Sequence, residues 1–69
     1  MEIKNRVRVA RVEKDLTQAE LGKLAGVTRQ TIGLIESGNY NPTLQLCMSI
    51  ALALNKSLDE LFYVEEAEQ

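Results

Sequence analysis

The chain has 69 residues, one cysteine, no histidine and a formal net charge of −2 at pH 7. A single cysteine excludes an intrachain disulfide, and without histidine or a cysteine pair we expect no zinc site and no cofactor. One unpaired cysteine fits a reducing, cytoplasmic compartment. No apolar run reaches the ~20 residues that span a bilayer. A chain this short buries only about 60% of its unfolded surface, so helix packing or self-association must stabilise it.

The charge is distributed unevenly along the chain. Residues 1–42 carry seven Lys/Arg against five Asp/Glu, and residues 43–69 carry one Lys against five Asp/Glu. The first part is therefore mildly basic and the second acidic. This pattern fits ordinary solvated surface, and it also fits a molecule with one end that faces an anion and one that repels it.

Two short β-prone segments, residues 1–3 and 62–64, could pair as a small ribbon. Between them, RVRVARVEK is ambiguous, because its alternation suits a strand and its apolar positions also form a helical stripe. We predict a helix that Asn5 caps and that ends at the polar residues 13–15.

The next two helices have clear start and stop signals. TQAELGKLAG begins with a capping box formed by Thr17 and Glu20, and Gly26 ends it as a left-handed C-cap. Thr28 then caps TRQTIGLIES. The residues predicted to face the core from these helices are Ala19, Leu21, Leu24, Ala25, Ile32 and Ile35.

A fourth helix follows the turn at residues 41–42. Thr43 caps LQLCMSIALALN, which is apolar nearly all round. A helix of this kind is buried on most sides, so we predict a central helix with Cys47 and Met48 in the core. A second capping box at residues 57–60 begins a short fifth helix.

Two short helices joined by the glycine-containing turn AGVT match the DNA-binding helix-turn-helix. The stretch TQAELGKLAGVTRQTIGLIESGNYNPT resembles the lambda-repressor-like (Cro/cI-type, XRE) helix-turn-helix family, and the resemblance covers residues 5–63. It is most similar to the short stand-alone cytolysin-repressor-type regulators. The resemblance implies one all-α, five-helix DNA-binding domain over residues 1–69, with the helix-turn-helix at about 17–37. The shared positions are Arg11, Leu16, Thr17, Gln18, Glu20, Leu21, Leu24, Ala25, Val27, Thr28, Ile32, Ile35, Glu36, Gly38, Asn41, Pro42 and residues 58–61.

The resemblance also implies a sequence-specific transcriptional regulator, a dimeric repressor whose third helix enters the major groove of double-stranded DNA at a palindromic operator. Gln30 would read adenine, and Arg29 would either read guanine or clamp a phosphate. Gln18 would clamp the backbone. Arg11 and Glu36 would form an internal ion pair. The residues expected to contact DNA are Thr17, Gln18, Thr28, Arg29, Gln30, Thr31, Gly33, Leu34, Asn39, Tyr40 and Asn41.

Leu34 and Tyr40 each have a second interpretation, and Gly33 is unusual inside a helix. Leu34 could contact a thymine methyl group, or it could be covered by a partner subunit or a neighbouring loop. Gly33 could permit closer approach to DNA, although glycine inside a helix costs about 0.5–1 kcal/mol relative to alanine. Tyr40 could bond a phosphate or cover the edge of the core.

The C-terminal end has more apolar residues than a monomer of this size can bury. We predict a homodimer through Leu58, Leu61, Phe62 and Val64, with the acidic tail, residues 65–69, frayed and away from the duplex. The alternative function is a protein-interaction module, such as an antitoxin or adaptor, which the net negative charge favours. An enzyme is not expected, because no catalytic pair is visible.

Overall fold

Five helices follow one another between two short strands in the computed structural model, which describes residues 2–65. The elements are β1 (Glu2–Asn5), α1 (Val7–Glu13), α2 (Gln18–Ala25), α3 (Arg29–Glu36), α4 (Leu44–Leu54), α5 (Leu58–Leu61) and β2 (Phe62–Glu65). The predicted five-helix architecture and terminal ribbon are therefore confirmed. The ambiguous first segment is a helix, because Val7 and Ala10, one turn apart, both enter the core. No helix within residues 2–65 is long and apolar enough to cross a membrane.

The ribbon is antiparallel and longer than predicted. Glu2 lies opposite Glu65 and Asn5 opposite Phe62, so each strand has four residues. Lys4 lies 3.6 Å from the carboxylates of both Glu2 and Glu65, which offsets the repulsion between them. Glu65 is therefore part of β2 and not of a frayed tail, and residues 66–69 lie outside the described residues.

The predicted caps are present at the helix starts. In the capping box of α2, the Glu20 amide donates to Thr17 Oγ1 at 3.0 Å and the Thr17 amide donates to Glu20 Oε1 at 2.8 Å. Thr28 and Thr43 accept from backbone amides in the same way at the starts of α3 and α4. Gly26 has a φ of 81°, which is the left-handed conformation expected of a C-cap.

The core is made of residues from every helix. Its buried members are Val7, Ala10, Leu21, Ile32, Ile35, Ile50, Ala51, Leu54 and Leu61. Asn5 adds a polar tie beside it: its Oδ1 accepts from the Val7 amide at 3.1 Å and its Nδ2 donates to the Ile35 carbonyl at 2.9 Å. The N-cap residue of α1 is therefore Arg6 and not Asn5 as predicted, but Asn5, one residue earlier, accepts from the first amide of the helix and also joins it to the last turn of α3.

Three predictions about the core were wrong. Ala19 is exposed and Leu24 is 60% exposed, so neither faces the core from α2, and Met48 is 50% exposed where it was expected to be buried. Met48 lies on one face of α4 with Leu44 and Leu52, and Leu52 is 83% exposed. The helix is apolar all round, but in so short a chain its neighbours cover only the opposite face. Cys47, also expected in the core, is half-buried at the edge of this exposed face.

A buried ion pair joins α1 to the end of α3. Arg11 Nε lies 2.7 Å from Glu36 Oε2, and Arg11 Nη2 donates to Glu36 Oε1 at 3.3 Å. Arg11 Nη1 donates to the Leu16 carbonyl at 2.8 Å, which also holds the loop before α2. The two side chains are only 12% and 5% exposed, so each charge depends on the other for solvation.

The two glycines inside the helices differ in what surrounds them. A Cβ added at Gly22 would lie 2.7 Å from the Val27 carbonyl oxygen, whereas the nearest atom to one added at Gly33 is Gln18 Nε2 at 3.5 Å. The backbone of Val27 therefore leaves no room for a side chain at position 22, so this position requires glycine. The contact at Gly33 is of ordinary van der Waals length.

Removing half of the ion pair should destabilise the fold strongly. We expect Arg11→Met to lower the free energy of unfolding by about 3–5 kcal/mol, because it leaves a buried carboxylate without its partner. The double variant Arg11→Met, Glu36→Met should recover most of that loss. Urea unfolding measures both values, and a double variant as unstable as the single one would contradict this account.

The glycines provide a matched pair for a second stability test. We expect Gly22→Ala to lower the free energy of unfolding by about 1–3 kcal/mol, because the new methyl group displaces backbone. Gly33→Ala should instead be neutral or stabilising by about 0.5–1 kcal/mol, because alanine favours the helix and no atom must move. Equal effects of the two changes in thermal or urea unfolding would be inconsistent with the contacts described.

Candidate nucleic-acid interface

The turn between α2 and α3 packs directly against α2 and so determines where α3 begins. The Val27 amide donates to the Gly22 carbonyl at 2.8 Å, and the close approach at Gly22 brings this turn directly onto α2. Two residues, Gly26 and Val27, separate α2 from the cap of α3. Gly22 was not among the predicted site residues, because its position inside a helix gives no sign in the sequence of this close contact.

The outward face of α3 is set by the two buried isoleucines. Ile32 and Ile35 point into the core, so Arg29 and Gln30 in the first turn are exposed, and Leu34 is 41% exposed. This face carries two polar side chains that can bond base edges and one apolar side chain beside them. The helix therefore presents its N-terminal turn to solvent in the manner of a groove-binding helix.

The hydroxyl groups of Thr28 and Thr31 already form hydrogen bonds at the start of α3. Thr28 Oγ1 accepts from the Thr31 amide at 3.1 Å and lies 3.0 Å from Thr31 Oγ1. Thr31 is half-buried, whereas Thr28 is exposed at the N-terminus. The cap can still offer a hydroxyl and neighbouring amides to a phosphate at this point.

A hydrogen bond to Glu36 fixes the orientation of the Gln18 side chain over α3. Its Nε2 donates to Glu36 Oε1 at 3.0 Å, so the same carboxylate that pairs with Arg11 also orients this amide. The side chain passes over Gly33, where a Cβ would lie 3.5 Å from Nε2. Gly33 therefore faces Gln18, and the expectation that it simply admits DNA omitted this contact.

Arg29 lies close to the start of α2. It lines one shallow hollow together with Thr17, Gln18 and Ala19. From this place an exposed guanidinium can extend toward a base edge or toward a backbone phosphate next to α2, and both roles predicted for it remain open.

The loop after α3 is closed by its own hydrogen bonds. Asn39 Nδ2 donates to Ser37 Oγ at 3.0 Å, and Ser37 Oγ donates to the Leu34 carbonyl at 3.0 Å. The Asn39 side chain thus helps to end the helix. Tyr40 and Asn41 are exposed, and they are the side chains of this loop most available to a partner.

Two of the four predicted dimer residues, Leu58 and Phe62, line an apolar groove of about 420 Å³. Its walls include Ile3, Leu44, Leu58 and Phe62, and Val64 lies opposite Ile3 in the ribbon. Leu61 is different: it is 1% exposed and packs in the core, so it is not available to a partner.

Cys47 also lines this groove, and burial raises the pKa of its thiol. The neutral thiol form is therefore favoured, as expected for an inert cysteine.

Comparison with known proteins gives a family model described as helix-turn-helix, which matches residues 7–61. A Bacillus subtilis protein described as an uncharacterized HTH-type transcriptional regulator, YgzD, is 39% identical over 64 residues, which are 93% of this chain and 97% of that protein.

Two solved structures have the same fold. A putative DNA-binding protein from Bacteroides fragilis is 28% identical with a TM-score of 0.80, over 88% of this chain and 98% of that one. The restriction-modification controller protein C.AhdI from Aeromonas hydrophila is 33% identical with a TM-score of 0.75, over 78% and 82% of the two chains.

The family model spans all five helices, and the Bacillus subtilis relative, which matches over nearly its whole length, is described as a transcriptional regulator. The residues that carried the resemblance lie in the helix-turn-helix and the helices that support it. This chain therefore belongs to the lambda-repressor-like (XRE-type) helix-turn-helix family of transcriptional regulators.

Proposed function

We propose that this protein is a sequence-specific repressor that binds a palindromic operator as a homodimer. The observation that carries the proposal is the outward face of α3, where Arg29 and Gln30 are exposed while Ile32 and Ile35 anchor the helix in the core. A helix anchored in this way can enter a major groove without rearrangement. The similarity to a controller protein supports a regulatory role.

Base readout is assigned to the exposed side chains of α3. The Gln30 amide matches the acceptor and donor that adenine presents in the major groove. Leu34, beside it on the same face, matches the methyl group of thymine. Thr17, Gln18, Thr28, Tyr40 and Asn41 flank this face and are assigned to the backbone, which positions the protein without specifying sequence.

Dimerisation is assigned to one continuous apolar surface, which we call the C-terminal face. It combines the groove with the exposed side of α4, because Leu44 belongs to both. Its members are Ile3, Leu44, Met48, Leu52, Leu58, Phe62 and Val64. For both copies of α3 to enter successive major grooves, the two-fold dimer must hold them about 34–36 Å apart, which is one turn of DNA.

A protein-interaction module is the second candidate. The exposed apolar side of α4 favours it, because an unpartnered patch of this kind can also receive a different protein. In that case the protein should retain one stable partner in pull-down, and selection on random DNA should return no palindrome.

Selection of bound sites from random DNA tests the readout. The wild type should enrich a palindrome with one-turn spacing. Gln30→Ala should relax the preference at one base pair and cost about 1–3 kcal/mol, because it removes a bidentate contact. Gln18→Ala is the control and should weaken all sequences alike. An unchanged base preference in Gln30→Ala would show that the assigned readout is wrong.

Charge on the C-terminal face should separate the subunits. We expect Met48→Glu to convert a dimer into a folded monomer and to weaken operator binding, because the carboxylate would be desolvated at the interface. Sedimentation at micromolar concentration measures the state. Val12→Glu, at an exposed apolar residue of α1, is the matched control and should stay dimeric. A wild type that is already monomeric yet binds a palindrome would refute the dimer.

A further inference from the structure

A polar notch of about 330 Å³ lies between α1 and the C-terminal half of α3. Gly33 forms part of its surface, so the notch adjoins the face assigned to base readout. Its lining residues are Arg8, Arg11, Gln18, Gly33, Glu36 and Ser37. The Arg11 and Glu36 charges neutralise each other at 2.7 Å, which leaves the notch with the single positive charge of Arg8.

Arg8 is directed to this side of the molecule by the packing of α1. Val7 and Ala10 enter the core, while Arg8 and Arg11, three residues apart, share the face toward the notch. Arg8 is exposed and forms no ion pair with another residue in the range 2–65. Its guanidinium is therefore free to bind an external anion.

Gln18 supplies a second, neutral donor that points in a fixed direction. One N–H of its amide bonds Glu36, and Glu36 is held by two bonds from Arg11. The second N–H of the same amide has no partner in the described part of the chain. Arg11 and Glu36 thus act as positioning residues, because they determine where this remaining donor lies.

We propose that the notch binds one phosphate of the DNA backbone, with Arg8 supplying the charge and Gln18 the directed N–H. The inference rests on the proposed function and extends it. It adds α1 to the interface through Arg8, and it gives the ion pair a role in binding as well as in the fold. It also accounts for the position of Gly33, which lines the notch and whose Cβ would lie 3.5 Å from Gln18 Nε2.

A double-mutant cycle tests the positioning role. Gln18→Ala should weaken DNA binding, and Glu36→Gln should weaken it only while Gln18 is present, so the double variant should match Gln18→Ala. Circular dichroism confirms that each variant is folded before affinity is compared. Additive losses in the double variant would overturn the positioning role, because a purely structural effect of Glu36 would persist without Gln18.

The salt dependence of DNA binding tests Arg8 independently. Each neutralised phosphate contributes about −0.9 to the slope of log K against log salt, so Arg8→Gln should make the slope less negative by about that amount on operator and non-operator DNA alike. Arg6→Gln is the matched control. It removes the same charge from the residue before α1, where Arg6 stacks over Tyr63 at 4.1 Å, and it should leave the slope unchanged.

The possible results distinguish failure of the phosphate-site proposal from failure of the proposed DNA-binding function. If wild type binds DNA and Arg8→Gln keeps its slope and affinity, or if Arg6→Gln changes the slope equally, the notch is not a phosphate site. If wild type shows no binding to any duplex at low salt, the proposed DNA-binding function itself fails.

Discussion

The carboxylate of Glu36 is the point on which the arrangement of α1, α2 and α3 depends. It accepts from Arg11 on α1 and from Gln18 on α2, and it stands at the end of α3. A buried carboxylate is stable only when its oxygens are bonded, so its environment imposes one geometry on all three helices. The same constraint directs a donor of Gln18 outward, which links the packing of the fold to the interface that we propose for DNA.

The close approach at Gly22 is the second constraint, and it acts on the backbone alone. Because the carbonyl of Val27 occupies the space of a Cβ, α2 and the start of α3 lie nearer than any side chain would permit. Ile32 and Ile35 then reach the core, and Arg29 and Gln30 in the first turn of α3 are left to solvent. The exposure of Arg29 and Gln30 is thus a consequence of packing elsewhere in the helix.

The apolar side of α4 shows the limit of pattern reasoning in a small domain. The composition of LQLCMSIALALN indicates burial, yet no residue within the range 2–65 covers Met48 or Leu52. The prediction of a central helix was right about Ile50, Ala51 and Leu54 and wrong about the opposite face. The reason is that a chain this short provides too few neighbouring elements to surround a helix, so an all-round apolar sequence leaves one side exposed.

The sequence by itself determined the helix order, the caps and the family, because capping boxes, C-cap glycines and apolar spacing are local signals that depend on a few neighbouring residues. Tertiary structure alone decided which glycine is needed for packing, that Leu61 is core, and that Gln18 reaches Glu36 eighteen residues away. It also placed Arg8 beside Gln18. These four features depend on distances between residues in different structural elements, and a local sequence pattern carries no information about such distances.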